Sequence, residues 1–428
     1  MKILLISPQF GIKRKILSKF INYNSLAIEI VAALTPDNHE VVMINENNRN
    51  IDFEDEYDLV GISCLTCNAI RGYRIADKFR EKGITVVLGG YHPSALPIEA
   101  KEHADSVVIG EAESSWPQLL NDFENKKIKP FYKSNEGANP KLIPFAKRVE
   151  KNISTITQIQ ATRGCPVGCE FCAISKIEGQ NFRARPIKNV IDEIKSINNK
   201  NLFFVDASLT IDPNYTKALF KEMKELNIKF DCFGNINILA KDEELLRLAS
   251  EAGCNKWFIG FESFSQKTIN SMNKKTNKIE EYNVAIDKIK NHGMMITGLF
   301  MYGFDSDTPQ VFDNTLQVLY DLRIDTASFS VVTPYPGTRL FNKLEKEKRI
   351  LTKDWSQYNE GSVVYKPKNM SREELLNGIK KASMEYYSFS SSFKRCLKNK
   401  NSSIAHFGNN IIENFFISRR FYKDLFNY

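Results

Sequence analysis

The chain has 428 residues, 42% hydrophobic and 26% charged, with a formal net charge of +8. This balance is ordinary for a soluble globular protein of two or three domains, and no nucleic-acid partner is expected from so modest a charge. No apolar run approaches the ~20 residues of a membrane span. The apolar start, Met1–Pro8, lacks a small-residue cleavage site, so it reads as a buried strand and a cytoplasmic location is expected.

Strands and helices alternate from the beginning. Met1–Ser7 reads as a strand, Asn22–Leu34 as a helix, His39–Ile44 and Asp58–Ser63 as strands. Arg71–Lys82 follows as a helix, then Thr85–Gly89 and Ser106–Ile109 as strands. Short apolar strands separated by helices predict an α/β, doubly wound, Rossmann-like sheet over residues 1–125, with ligand space beyond the strand C-termini. Ser63, Gly89, Gly90, Gly110 and Glu111 fall at those ends, where glycine lets a ligand approach the backbone. A polar stretch with Pro and Asn, residues 126–150, predicts a linker.

Over residues 151–345 a strand–helix unit recurs six times. The strands are Ile156–Ala161, Leu202–Asp206, Phe230–Asn235, Trp257–Gly260, Met295–Met301 and Ala327–Val332. Ile187–Asn198, Tyr215–Leu226, Asp242–Glu251 and Ile279–His292 read as helices between them. Unit spacings of roughly 25–40 residues fit right-handed crossovers, and six units predict a partial (β/α)6 barrel. Residues 346–428 predict a mainly helical region, with a short strand at Ser362–Tyr365. A helix over Ser371–Tyr386 opens on a Ser371/Glu374 capping box. The tail Ser391–Tyr428 holds seven Lys/Arg and two acidic residues among aromatics. It reads as a solvated helical cap, with a membrane surface or nucleic acid as the competing partner.

Eight cysteines in a cytoplasmic chain argue for metal binding or catalysis, not a disulfide framework. Three are clustered, in Ala161-Thr-Arg-Gly-Cys165-Pro-Val-Gly-Cys169-Glu-Phe-Cys172. The spacing is C-x3-C-x2-C, on a Gly/Pro loop directly after a strand. Three thiolates on one loop can hold three irons of a cubane cluster. No fourth cysteine lies nearby, which leaves one iron open to an amino and a carboxylate group. A zinc site would show paired ligands at a distance, and this spacing does not. Three merely structural cysteines would not gather at the mouth of a barrel, where active sites sit. Cys64 and Cys67 form a C-x-x-C that reads as packing, not a redox pair. Cys232 and Cys254 read as core. His92 reads as a loop residue near the first domain's cleft.

With Phe171 ahead of its last cysteine, the loop resembles the signature of the radical S-adenosylmethionine superfamily. The resemblance implies a [4Fe-4S] cluster on Cys165, Cys169 and Cys172, with the open iron chelating the methionine part of S-adenosylmethionine. One electron from the cluster then splits the C–S bond to methionine and a 5′-deoxyadenosyl radical, and Phe171 packs on the adenine. Asp206 stands where relatives place a polar group for the cofactor amine, although the usual Gly-Gly-Glu is missing. Asn235, Asn237, Glu262 and Ser263 stand where the ribose hydroxyls and methionyl carboxylate are met. Gly298 stands where the adenine approaches the backbone. Thr333–Thr338 is similar to a loop of cobalamin-linked members.

The segments Asp58–Ser63, Val87–Ser94 and Val108–Glu113 are similar to the cobalamin-binding domain fused ahead of many of these enzymes. The two resemblances cover about residues 1–346 and point to the class B, cobalamin-dependent methylases, which include the hopanoid methylases. The Asp-x-His-x-x-Gly motif of other cobalamin domains is absent, as it commonly is in class B, and His92 is not that ligand. The resemblance implies that one S-adenosylmethionine methylates reduced cobalamin and a second supplies the radical. The methyl group then passes to an unactivated carbon, or a phosphinate phosphorus, of a small molecule or lipid. An electron donor such as flavodoxin or ferredoxin is implied as partner. A radical cyclase or oxidative enzyme, and a non-catalytic cobalamin or redox sensor, are the alternatives. A transfer-RNA methylthiotransferase would need three cysteines in the first domain, where only Cys64 and Cys67 stand.

Overall fold

The computed structural model describes residues 1–9, 25–133, 137–148, 156–322 and 324–398. Its first sheet has six strands: β1 (Lys2–Ser7), β2 (Glu40–Asn45), β3 (Leu59–Ser63), β4 (Thr85–Gly89), β5 (Ser106–Ile109) and β6 (Phe131–Lys133). All pair in parallel, in the order β2-β1-β3-β4-β5-β6. Ile3, Leu4, Leu5 and Ile6 are all buried, as a parallel strand covered by helices on both faces requires. The order turns back on itself at β1, so the ligand crevice of such a sheet opens beyond the ends of β1 and β3. Ser63 pairs with Gly89 at that edge.

β6 departs from the linker expected over residues 126–150. Tyr132 is buried there and its hydroxyl donates to Asp122 at 2.8 Å. One aromatic anchors a three-residue strand among polar neighbours, too short a run for alternation to show.

The second sheet is the barrel. In chain order the strands are β7 (Thr157–Ile159), then β8 (Thr162–Arg163) and β9 (Arg183–Ala184), which form a separate antiparallel pair. Then come β10 (Asn201–Phe204), β11 (Lys229–Phe233), β12 (Cys254–Glu262), β13 (Met295–Tyr302) and β14 (Thr326–Val331). Six parallel strands run β7-β10-β11-β12-β13-β14, and β7 and β14 do not pair, so the barrel is open. Leu202, Phe204, Cys232, Trp257, Ile259, Phe261 and Phe300 are buried beneath the crossover helices. Alternate residues face the other way. Among these, half-buried Phe203, Phe233 and Phe258 meet with ring centroids 5.2–5.5 Å apart.

The open edge of β14 is covered by the C-terminal region. Helix Arg372–Tyr386 carries the expected capping box between Ser371 and Glu374. Just past it, the Tyr387 hydroxyl accepts from Ala327 N–H at 2.9 Å and donates to Ala327 O at 2.5 Å. An edge strand's unpaired backbone is thereby satisfied by a side chain. The strand expected at Ser362–Tyr365 is reduced to a single antiparallel bridge between Ile350 and Tyr365. Most of the basic tail, from residue 399, lies outside the described residues. No described helix is long and apolar enough to cross a membrane.

Candidate cluster and cofactor site

The cysteine loop follows β8. Gly164 has φ +80°, and a Cβ there would lie 2.1 Å from Asn181 O, so only glycine fits. The loop closes on itself through Cys165 N–H to Gly179 O (3.1 Å), Cys172 N–H to Cys169 O (3.2 Å) and Gly164 N–H to the Glu178 carboxylate (3.1 Å). Neighbouring segments grip it from outside. Glu170 N–H donates to Met272 O at 3.1 Å and Leu340 N–H to Glu170 O at 3.0 Å. Asn273 Nδ2 and the Arg339 guanidinium both donate to Gly168 O.

All three thiols are half-buried and free of disulfides. Burial pushes the Cys169 thiol up to about 12, against the pull of Lys274; the other two cysteines add to the rise. Burial also raises Cys172, opposed first by the N–H of Ile174. Such thiols are protonated until a metal displaces the proton outright. Among the described residues, no three His, Cys, Asp or Glu side chains converge on one metal-ion position. A cubane makes a different demand: its three corner irons need separate thiolates around a common space.

The residues at the barrel's strand ends divide into those engaged by the protein and those left open. Asp206 is engaged. Buried, it accepts from Ala161 N–H at 3.1 Å and from the Thr162 hydroxyl at 2.6 Å, and burial pushes its carboxyl up to about 6. It fastens the turn from β7 into β8. Glu262 holds a left-handed φ of +63°, a strained setting for a residue with a Cβ. Its carboxylate pairs with Lys274 Nζ, which also donates to Gly260 O at 2.8 Å. Burial opposes the Lys274 charge, and Glu262 together with Cys169 and Cys172 more than offsets it. Ser263 accepts from Ser265 N–H at 3.1 Å, shaping the turn into the next helix.

Gly298 is closely packed. A Cβ there would meet the rings of Phe300 at 2.7 Å and Phe261 at 3.2 Å. It shares the helix-facing side of β13 with Phe300, so its small size makes room for aromatic packing. Phe171 lies half-buried, edge-on to Phe304 at 6.4 Å. Asn235 donates its backbone N–H to the Thr210 hydroxyl at 2.8 Å. Asn237 is the open one: its Oδ1 is buried and has no hydrogen-bond partner among the described residues. A buried acceptor of this kind calls for a donor, such as a ribose hydroxyl.

In the first domain, a Cβ on Gly90 (φ +94°) would fall 2.7 Å from Cys64 O, so this glycine permits the close turn beside β3. A Cβ on Gly72 would fall 2.3 Å from the Cys64 sulfur, which confirms Cys64 as packing. Gly89 closes β4 opposite Ser63. Gly110 (φ +83°) differs from these, since a Cβ there would meet nothing within 4 Å. His92 is no loop residue. It is 0% exposed on a short helix, 3.2 Å from a Glu99 carboxylate that also takes the Tyr73 hydroxyl (3.0 Å) and Trp355 Nε1 (2.9 Å). Glu111 is likewise engaged: its carboxylate pairs with Arg163 at 3.1 Å and Arg183 at 2.5 Å. The basic partners Arg163, Arg183 and Lys274 escaped sequence reasoning; the one available signal was Arg163, two residues ahead of Cys165.

Comparison with known proteins matches residues 22–120 to the B12 binding domain and residues 159–319 to the radical SAM superfamily. A domain of unknown function matches residues 338–412. The bacteriochlorophyllide d C-12(1)-methyltransferase of Chlorobaculum tepidum is 33% identical over 385 residues, covering 86% of this chain and 84% of that protein. The chain belongs to the cobalamin-binding radical S-adenosylmethionine enzymes. The bacteriochlorophyllide d C-8(2)-methyltransferase of the same organism is 32% identical, covering 87% of this chain and 88% of that one. The fold matches the radical S-adenosylmethionine methyltransferase TsrM from Kitasatospora setae, solved with cobalamin and a [4Fe-4S] cluster. The TM-score is 0.68 at 14% identity, over 81% of this chain and 78% of that one.

As a cobalamin-binding radical S-adenosylmethionine enzyme, the chain uses a [4Fe-4S] cluster, S-adenosylmethionine and cobalamin. Its residues fit them. Three half-buried thiols share one braced loop, Asn237 Oδ1 is an acceptor without a donor, and the space over Gly110 is open at the edge of the first sheet.

Proposed function

We propose that this enzyme transfers a methyl group from S-adenosylmethionine to an unactivated carbon of an apolar small molecule or lipid, a phosphinate phosphorus being the other acceptor of this chemistry. The observation that carries the reading is the direct junction, through buried ion pairs, of the cysteine loop with the end of β5 in the cobalamin-type domain. The two bacteriochlorophyllide methyltransferases, similar along nearly their whole length, support it. When bound, the cluster supplies the electron that cleaves S-adenosylmethionine into methionine and a 5′-deoxyadenosyl radical, and cobalamin carries the methyl group.

The chain's own residues do the rest. Cys165, Cys169 and Cys172 hold the cluster, Asn237 Oδ1 accepts from the nucleoside, and Phe171 offers an aromatic face beside the loop. Ser63, Gly89, Gly90 and Gly110 border the cobalamin cleft. The barrel's inner face offers Phe203, Phe233, Phe258, Leu299 and Met301, all half-buried, with Ser328 and Ser330 beside them. That wall suits a largely apolar substrate with few polar groups, and it keeps water from the radical. An electron donor of the flavodoxin or ferredoxin kind, in the cytoplasm, completes the reading.

Methyl-labelled S-adenosylmethionine tests it. Label is expected in the product of the reconstituted enzyme. Product that forms with 5′-deoxyadenosine but without label would establish the cyclase or oxidative alternative instead.

A further inference from the structure

The first domain and the cluster loop meet through charges taken out of water. Glu111 follows Gly110 at the end of β5. Its carboxylate accepts from Arg183 Nη2 at 2.5 Å and Nη1 at 2.9 Å, and from Ala138 N–H at 2.6 Å, and it lies 3.1 Å from Arg163 Nη1. Arg163 places its other terminal nitrogen 2.6 Å from Glu113. None of the side chains of Glu111, Glu113, Arg163 and Arg183 is more than 16% exposed.

Both arginines sit on the flanks of the cysteine loop. Arg163 precedes Cys165 by two residues. Arg183 lies past Cys172 and donates to Glu178 O at 2.7 Å. The Glu178 carboxylate in turn takes Gly164 N–H at 3.1 Å and the Tyr91 hydroxyl of the first domain at 3.0 Å. Gly179 O receives Cys165 N–H at 3.1 Å. The lattice therefore runs from the open space over Gly110 to the backbone of the first cluster cysteine. A buried ion-pair lattice is a weak device for stability alone, because desolvation cancels most of the attraction; its better-attested use is to fix one register between two parts.

We propose that Glu111 is a positioning residue that couples the two cofactor sites. By clamping both flanks of the Cys165–Cys172 loop to the ligand-facing end of β5, it makes loading of the cluster favour cobalamin binding, and the reverse follows by linkage. The coupling is independent of the substrate that is methylated, and of whether methyl transfer is the outcome.

Hydroxocobalamin binding tests this, measured anaerobically by absorbance titration of the full chain before and after reconstitution with iron and sulfide. In the wild type, reconstitution is expected to lower the hydroxocobalamin Kd at least about fivefold, the lower end of ordinary coupling. In Glu111→Gln, iron and cobalamin both still load but the ratio of the two Kd values falls to within about twofold of one, well under that coupling range. Glu113→Gln, which removes only the outer ion pair, gives an intermediate ratio should Glu111→Gln fail to fold. A wild-type ratio of one, or a Glu111→Gln ratio equal to the wild type's, overturns the proposal.

Discussion

The three cluster cysteines stand apart from the others by surroundings as much as by spacing. Cys64 is buried against Gly72, and Cys232 and Cys254 are buried in the barrel wall. Substituting serine for any one of Cys165, Cys169 and Cys172 is expected to abolish cluster retention and 5′-deoxyadenosine formation. Cys64→Ala is expected to leave the iron content unchanged; iron analysis of the purified variants decides. A second residue-scale consequence concerns Asp307. Burial pushes its carboxyl up to about 6, although it accepts from Gly303 N–H and Phe304 N–H, both at 3.0 Å. The folded state therefore holds this proton over a range where the unfolded chain, near 3.8, has released it. Stability from this group is full below about pH 4 and declines as pH rises through 6, by roughly 3 kcal/mol. An asparagine keeps the acceptor and does not titrate. Asp307→Asn should gain stability relative to the wild type between pH 4 and pH 7 in denaturant titrations; parallel curves would contradict this. At this scale the cysteines are legible because their spacing is local. The engagement of Glu111, Asp206 and Glu262 is not, because Arg163, Thr162 and Lys274 reach them only through the tertiary fold.

Among the elements, the parallel strands are legible because each is a run of apolar residues buried on at least one face. Their ends shift by a residue or a few, since the last residues before the loops are polar or glycine. β6 escapes notice because its burial rests on Tyr132 alone. Gly298 shows a different limit: strand periodicity assigns alternate faces but does not say which face holds the ligand. Its neighbours Phe261 and Phe300, stacked at 5.6 Å, show only which face is filled by rings. The cover on β14 is equally invisible in sequence, because it joins Tyr387 to Ala327 across 60 positions. Tyr387→Phe removes the hydroxyl and leaves a buried N–H and C=O of an edge strand without that partner. The expected loss is about 1–3 kcal/mol of unfolding free energy, read by chemical denaturation, with iron loading unaffected.

On the scale of the whole molecule, the C-terminal region and the first domain converge on the barrel from different sides. Trp355 donates to Glu99 at 2.9 Å and packs on His92 at 5.2 Å, joining the C-terminal region to the cobalamin-type domain. Glu111 joins that domain to the cysteine loop. The order of the parts is legible in the sequence, since each has its own strand–helix rhythm. The joints between them are not, because each consists of single buried polar side chains with no pattern. The central claim is that this assembly holds a cluster and cobalamin together and cleaves S-adenosylmethionine. The most direct measurement is anaerobic reconstitution with iron, sulfide and hydroxocobalamin quantified on one sample, followed by reduction with dithionite in the presence of S-adenosylmethionine. About four irons and four sulfides, one cobalamin per chain and accumulation of 5′-deoxyadenosine are expected. Protein that is folded and loaded with iron yet forms no 5′-deoxyadenosine would contradict the account.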